Sequence, residues 1–160
     1  QEVTLAAFKA AKARGCITIL NPAPYQEISA ELLALCDWII PNETEFRELH
    51  GELPTTDEIL RNFRPGKNSI VTLGSQGAVF ISAEGHVTKV GAPKVTAVDT
   101  TGAGDAFVGT FASSLASGKD PVTAMTLGVN VASFSVTRKG AQISYPDKVT
   151  VTKYLNSLAF

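Results

Sequence analysis

The sequence predicts an α/β domain, a mostly parallel sheet covered by helices on both faces. Three observations predict it. Short apolar runs of strand character alternate with stretches whose apolar residues recur at helical spacing. The runs end in loops rich in Asn, Thr and Gly, which is where ligands bind in such sheets. The small-residue cluster Gly102-Ala103-Gly104 opens a helical pattern in which Phe107, Phe111 and Leu115 share one face.

Taken in order, Thr4 to Arg14 is Ala-rich, carries Leu5 and Phe8, and meets a helix-stopping Gly15. Residues 16–20 read as a buried strand, Asn21-Pro22-Ala23-Pro24 as a rigid loop, and 29–36 as a helix. Residues 38–40 form a second strand, and Pro41-Asn42 turns the chain into a helix over 43–50. After the linker Leu53-Pro54-Thr55-Thr56, Thr56 caps a helix over 57–62. Residues 70–73 form a third strand, ended by Gly74-Ser75-Gln76-Gly77. Residues 78–81 and 87–90 pair as a hairpin across Glu84-Gly85, a local antiparallel departure. Val95 to Val98 leads into the central stretch. Beyond it the chain is helical over 104–117, over 121–136 with Pro121 well placed in a first turn, and over 148–158. Met125, Val129, Ala132 and Val136 form the apolar stripe of the middle helix. With no internal repeat and no low-complexity linker, 1–160 reads as one domain.

Composition narrows the function classes. Hydrophobic residues make up 44% of the 160-residue chain and charged ones 18%, a globular profile. Fourteen basic against fifteen acidic residues give a net charge of −1, so no strong field favours nucleic acid or acidic membranes. No apolar run approaches the roughly 20 residues of a membrane span, and no signal-peptide pattern opens the chain. Cys16 and Cys36, without Cys-x-x-Cys spacing, read as reduced core thiols of a cytoplasmic protein. The Asn42-Glu43-Thr44 sequon is read as accidental. His50 and His86 stand apart from each other and from any acidic cluster, which argues against a zinc site.

The chemistry concentrates in Asp99-Thr100-Thr101-Gly102-Ala103-Gly104-Asp105-Ala106-Phe107. A glycine turn at a helix mouth presents unpartnered N–H groups at the positive end of the dipole, a ready anion hole. Asp105 in the same first turn suits a base that takes a proton from a hydroxyl while those N–H groups stabilise a transferring phosphoryl group. The alternative, equally open on this stretch alone, is an acid that complements the dipole beside a tight turn. No Gly-Lys-Ser/Thr follows, so this is not a Walker loop, and Gly-x-Gly-x-x-Gly is not completed, which counts against a dinucleotide-binding oxidoreductase.

The run Asp-Thr-Thr-Gly-Ala-Gly-Asp-x-Phe resembles the C-terminal signature of the ribokinase-like, or PfkB, carbohydrate kinases. The resemblance implies the three-layer α/β/α, Rossmann-like fold of that family. It implies Asp105 as the base acting on the sugar hydroxyl and Gly102, Ala103 and Gly104 as the anion hole. Pro41-Asn42-Glu43-Thr44-Glu45 is similar to the family's Asn-x-x-Glu motif, which implies nucleotide contact by Asn42 and ordering of Mg²⁺ through water by Glu45; dipole-facing acids are the plain alternative. Thr72-Leu73-Gly74-Ser75-Gln76-Gly77 resembles the loop that lines the nucleotide site. Asn21-Pro22-Ala23-Pro24 matches a loop of the ribokinase branch, and a stiff turn is its plain role. Thr137-Arg138-Lys139-Gly140-Ala141-Gln142 resembles the segment that closes over adenine and helps bind an activating K⁺. The matching positions are Asp99, Thr101, Ser135, Arg138, Gly140 and Ser144. A polar adenine contact of the family falls on Val129, one residue from Asn130.

The resemblance thus implies ATP and a small sugar as substrates. Ribose stands ahead of fructose, ketodeoxygluconate or a nucleoside, and a non-catalytic nucleotide-binding module is the alternative from another class. It covers only the C-terminal half of the family. The half that carries the sugar-binding residues and the β-lid of a homodimer is not visible, so the chain is expected to be a fragment.

Overall fold

The computed structural model describes residues 1–50 and 66–157. The expected helix over 57–62 and its Thr56 cap lie outside the described residues, as does Leu158. The chain divides into two compact units, one of residues 1–72 and 79–88, the other of residues 73–78 and 89–160.

The first unit opens with α1 (Glu2–Lys12). Gly15 at φ +69° ends it as expected. Its N–H donates to Lys12 O and that of Cys16 to Ala11 O, both at 3.0 Å, a Schellman closure. The expected strand over 16–20 shrinks to β1 (Ile19–Leu20). The reason is where its N–H groups go: Cys16 spends its own on α1, and Thr18 donates to Asp37 Oδ2 at 2.8 Å. Burial pushes the Asp37 carboxyl up, but Lys12, at 2.7 Å, and Thr18 outweigh it and hold the acid below its usual range. Cys16 is exposed, contrary to its reading as a core thiol. Cys36 is buried, and burial drives its thiol up to about 11 against the pull of Lys67, which makes it inert.

Ser29 caps α2 (Ala30–Leu35) by accepting Leu32 N–H, and Lys67 Nζ reaches the Cys36 carbonyl beyond its end at 3.1 Å. β2 (Trp38–Ile39), α3 (Glu43–His50), β3 (Asn68–Thr72), β4 (Ala78–Ile81) and β5 (Val87–Val90) follow. The sheet order is β1-β2-β3-β4-β5. β1 and β2 pair in parallel, Ile19 opposite Trp38, and so do β2 and β3, Ile39 opposite Ser69. The connections after β3 and β4 are too short for the crossover that parallel neighbours need, so β3, β4 and β5 run as a meander. Leu32, Ile40, Phe46, Ile70, Val71, Val79 and Ile81 form the unit's core, and the Trp38 and Phe80 rings meet at 5.3 Å.

The second unit is helical. Residues 91–98 form no strand; Val98 and Asp99 both donate to Val136 O, at 2.7 and 3.2 Å. α4 (Ala103–Ala116) packs on α5 (Pro121–Ser135). Phe107 and Phe111 stack in parallel and are buried, Leu115 only partly. Gly128 makes the approach possible: a Cβ there would stand 2.9 Å from the Phe107 ring. Met125 and Val129 of the expected stripe are buried, whereas Ala132 and Val136 are buried only in part and Ala124, Gly128 and Val131 take their place. Asp120 caps α5 by accepting Thr123 N–H at 2.9 Å. α6 (Lys148–Ser157) starts from Asp147, which accepts Thr150 N–H, and its Tyr154 packs on Phe134.

Candidate active site

In the first unit the carboxyl ends of three strands are tied together. Asn21 Nδ2 donates to Ile40 O at 2.7 Å, which gives the Asn-Pro-Ala-Pro loop a structural task. Thr72 N–H donates to Pro41 O at 3.0 Å, and Asn42 bridges to Thr72. Asn42 and Glu45 lock reciprocally. Glu45 N–H donates to Asn42 Oδ1, while Asn42 N–H and Nδ2 each donate to one oxygen of the Glu45 carboxylate, all at 2.9 Å. This is a capping box with Asn as cap, legible in the Asn-x-x-Glu spacing itself. Asn42 stays exposed, and Glu45 is 6% exposed.

In the second unit the Leu73–Gly77 turn closes on itself. Leu73 N–H donates to Gly77 O at 2.8 Å and Gln76 N–H to Leu73 O at 2.9 Å. Leu73 is buried and Gly74, Ser75 and Gln76 form an exposed tip. The two glycines differ. Gly74 at φ +52° has open space where a Cβ would stand. Gly77 at φ +95° has backbone there, with Val90 O at 2.0 Å.

The central turn stands at the mouth of α4. Gly102, at φ +78° and ψ 0°, is the N-cap of α4. Its carbonyl accepts Ala106 N–H at 2.9 Å, and Ala103 N–H donates to Thr100 O at 3.2 Å. The N–H groups of Gly104 and Asp105 meet no protein acceptor among the described residues. Gly104 and Asp105 are exposed. Gly104 has no positive φ, and nothing lies within 4 Å of a Cβ built on it. The fold therefore requires glycine at 102 and does not require it at 104.

Asp99 joins this turn to the segment after α5. Its Oδ1 accepts Thr101 N–H at 2.9 Å and its Oδ2 accepts Gly140 N–H at 2.8 Å. The Gly140 bond, then those of Thr101, lower its carboxyl to about 2. Ser144 Oγ donates to Ala141 O and Ser135 Oγ to Ala132 O, and both serines are buried. Arg138 is exposed and its guanidinium lies 4.4 Å from the centre of the Phe134 ring. Asp99, Thr101 and Gly140 are thus brought together, with Ser144 in the same short turn. Asn130 is 5% exposed. Among the described residues no cluster of three or more His, Cys, Asp or Glu could by itself hold a metal, and no helix is long and apolar enough to cross a membrane.

Residues 1–148 match the family described as pfkB family carbohydrate kinase. The chain is 40% identical over 149 residues to a ribokinase of Staphylococcus aureus, covering 89% of this chain and 49% of that protein. It is 40% identical over 162 residues to a deoxyribokinase of Salmonella typhi, covering 97% and 53%. It superposes with a TM-score of 0.88 and 32% identity on the structure of Arabidopsis thaliana ribokinase complexed with ribose and ATP, covering 96% of this chain and 52% of that one. The chain therefore spans about half the length of the relatives it matches. A match over nearly all of its residues, together with a ribokinase-like fold and the glycine turn before Asp105, assigns this chain to the pfkB family of carbohydrate kinases.

Proposed function

We propose that the intact protein carrying this chain transfers the γ-phosphoryl group of ATP to a hydroxyl of a small sugar, with ribose as the acceptor. The observation that carries this reading is the αL turn at Gly102. It leaves two N–H groups without acceptors among the described residues, beside an exposed carboxylate. In the reaction Asp105 takes the proton of the sugar hydroxyl, that oxygen forms its bond to the γ-phosphorus, and ADP leaves with the electrons of the broken bond. The N–H groups of Gly104 and Asp105 bind the charge on the transferring group, where preorganised donors act without rearrangement. The sugar assignment draws on the ribokinase relatives. A deoxyribokinase matched at the same identity makes 2-deoxyribose the second acceptor to test.

In this reading Asn42, Thr72 and the Gly74–Gln76 tip serve the nucleotide, and Asn130 offers a buried amide on α5. Mg²⁺ neutralises phosphate charge when bound. The Glu45 carboxylate, with an Asn42 bond on each oxygen and little exposure, fits a role through water better than direct ligation. For K⁺ the donor set fits: an ionised Asp99 carboxylate beside the Thr101, Gly140 and Ser144 turns, with the Ser135 and Arg138 carbonyls next in line. The Asp99 carboxylate would hold the ion against the turn, and a fixed positive charge there would favour the anion hole.

The test is ADP formation from ATP and Mg²⁺ with ribose, 2-deoxyribose, fructose and adenosine in turn. Turnover with ribose supports the reading; ATP binding without transfer to any acceptor overturns it in favour of a binding module. A variant separates the anion hole from a merely structural turn. Gly104→Ala stabilises the fold by about 0.5–1 kcal/mol, since a helical glycine gives way to alanine in open space. The added methyl obstructs the phosphoryl group, and transfer falls by on the order of 10². Gly109→Ala, equally unobstructed on α4, raises the melting temperature and leaves the rate unchanged. If both variants keep full activity, the anion hole is not at Gly104.

A further inference from the structure

The turn that presents Gly104 and Asp105 is held from behind. Residues 140–145 touch it at both ends. Gly140 N–H holds Asp99 at one end. At the other, Tyr145 OH donates to Gly102 O at 3.0 Å, 43 residues away in sequence. Ala141 closes the gap, its Cβ 3.0 Å from where a Gly102 Cβ would stand, and the Tyr145 oxygen is 2.6 Å from the same point.

The peptide plane between Gly102 and Ala103 is rigid, so its carbonyl and N–H turn together. Its oxygen takes two donors, Ala106 N–H and Tyr145 OH, and its N–H reaches Thr100 O. The next two planes carry the N–H groups of Gly104 and Asp105, which meet no acceptor among the described residues. Their aim is set through the plane before them, at a glycine that by itself restrains little. We propose that Tyr145 is a positioning residue for the phosphoryl transfer inferred above, its hydroxyl fixing the Gly102 carbonyl and with it the direction of the Gly104 and Asp105 N–H groups. The proposal rests on that reading for its catalytic consequence, not for the geometry. Burial, then the Asp105 charge, raises the Tyr145 phenol, so the hydroxyl stays a donor.

Tyr145→Phe in the intact protein keeps the ring and deletes the donor. The expected result is a fall in kcat of about tenfold, the scale of one lost hydrogen bond, with KM for ATP and ribose within about twofold. Amide hydrogen exchange at Ala103 and Ala106, whose N–H groups are bonded in the turn to Thr100 O and Gly102 O, rises about tenfold while the α5 amides keep their protection. Unchanged exchange at those two amides overturns the proposal, whatever the activity. Exchange raised across α4 and α5 alike also overturns it, because Tyr145 is then a packing residue. If exchange rises locally but the parent transfers phosphate to no sugar, the positioning stands and the phosphotransfer reading fails. If the parent turns over and kcat of the variant is unchanged, the hydroxyl does not serve the reaction.

Discussion

Replacing Asp105 by Asn lowers phosphoryl transfer in the intact protein by about 10²- to 10⁴-fold, the usual worth of a positioned general base. The substitution is nearly isosteric, and the side chain is exposed in the first turn of α4, so little packing changes. What disappears is the acceptor for the hydroxyl proton. ATP binding is retained or tightened, because a negative charge leaves the neighbourhood of an anion-binding turn. Single-turnover transfer and calorimetric ATP binding check the two halves separately. A rate within threefold of the parent would sink the base assignment and leave Asp105 as a dipole-complementing acid. Loss of ATP binding together with transfer would place it in the nucleotide contact instead.

The second large effect concerns folding. Gly77→Ala destabilises the chain by about 3–5 kcal/mol, the sum of strain at a glycine-only backbone angle and a clash that backbone atoms cannot relieve. At φ +95° and ψ −128°, a Cβ would stand 2.0 Å from Val90 O, 2.8 Å from Ala92 N and 2.9 Å from Gly91 C. Such a loss is a large share of the roughly 5–15 kcal/mol by which a domain is stable. Gly74→Ala is the contrast. Its φ of +52° is ordinary left-handed backbone with no neighbour, so it costs about 1–2 kcal/mol. Denaturant unfolding of the two variants gives the ranking. Equal losses at both would mean that the turn does not abut the chain leaving β5.

The two glycines of Gly74-Ser75-Gln76-Gly77 look alike in sequence, as do Gly102 and Gly104. Only backbone angles and neighbours separate the one the turn needs from the one it does not. Elements set by local pattern were legible. α3, β4 and β5 carry their own periodicity and turn residues, and α5 its own Pro121 start. β1 was not legible over its first residues because its donors are claimed from outside, by α1 and by Asp37. Cys16, expected in the core, is exposed. The Asn42–Glu45 lock was written in a three-residue spacing but hidden by two adjacent readings, dipole and metal. Tyr145 left no local signal at all, since its partner lies 43 residues upstream and is a backbone carbonyl.

Gly128 has a consequence for anyone stabilising this protein. Replacing helical glycines by alanine is a standard route to thermostability, and α4 and α5 offer three of them, at 104, 109 and 128. They are not interchangeable. Gly128 is a missing side chain into which Phe107 fits, and Phe107 stands two residues beyond Asp105 on the same helix. Filling that notch would push α4 off its seat and carry the carboxylate with it, and misplacement of about 1 Å is enough to lose 10²-fold in rate. The helix that carries Asp105 is therefore registered by an empty place on its neighbour, and an engineer's gain in rigidity there would be spent as a loss of aim.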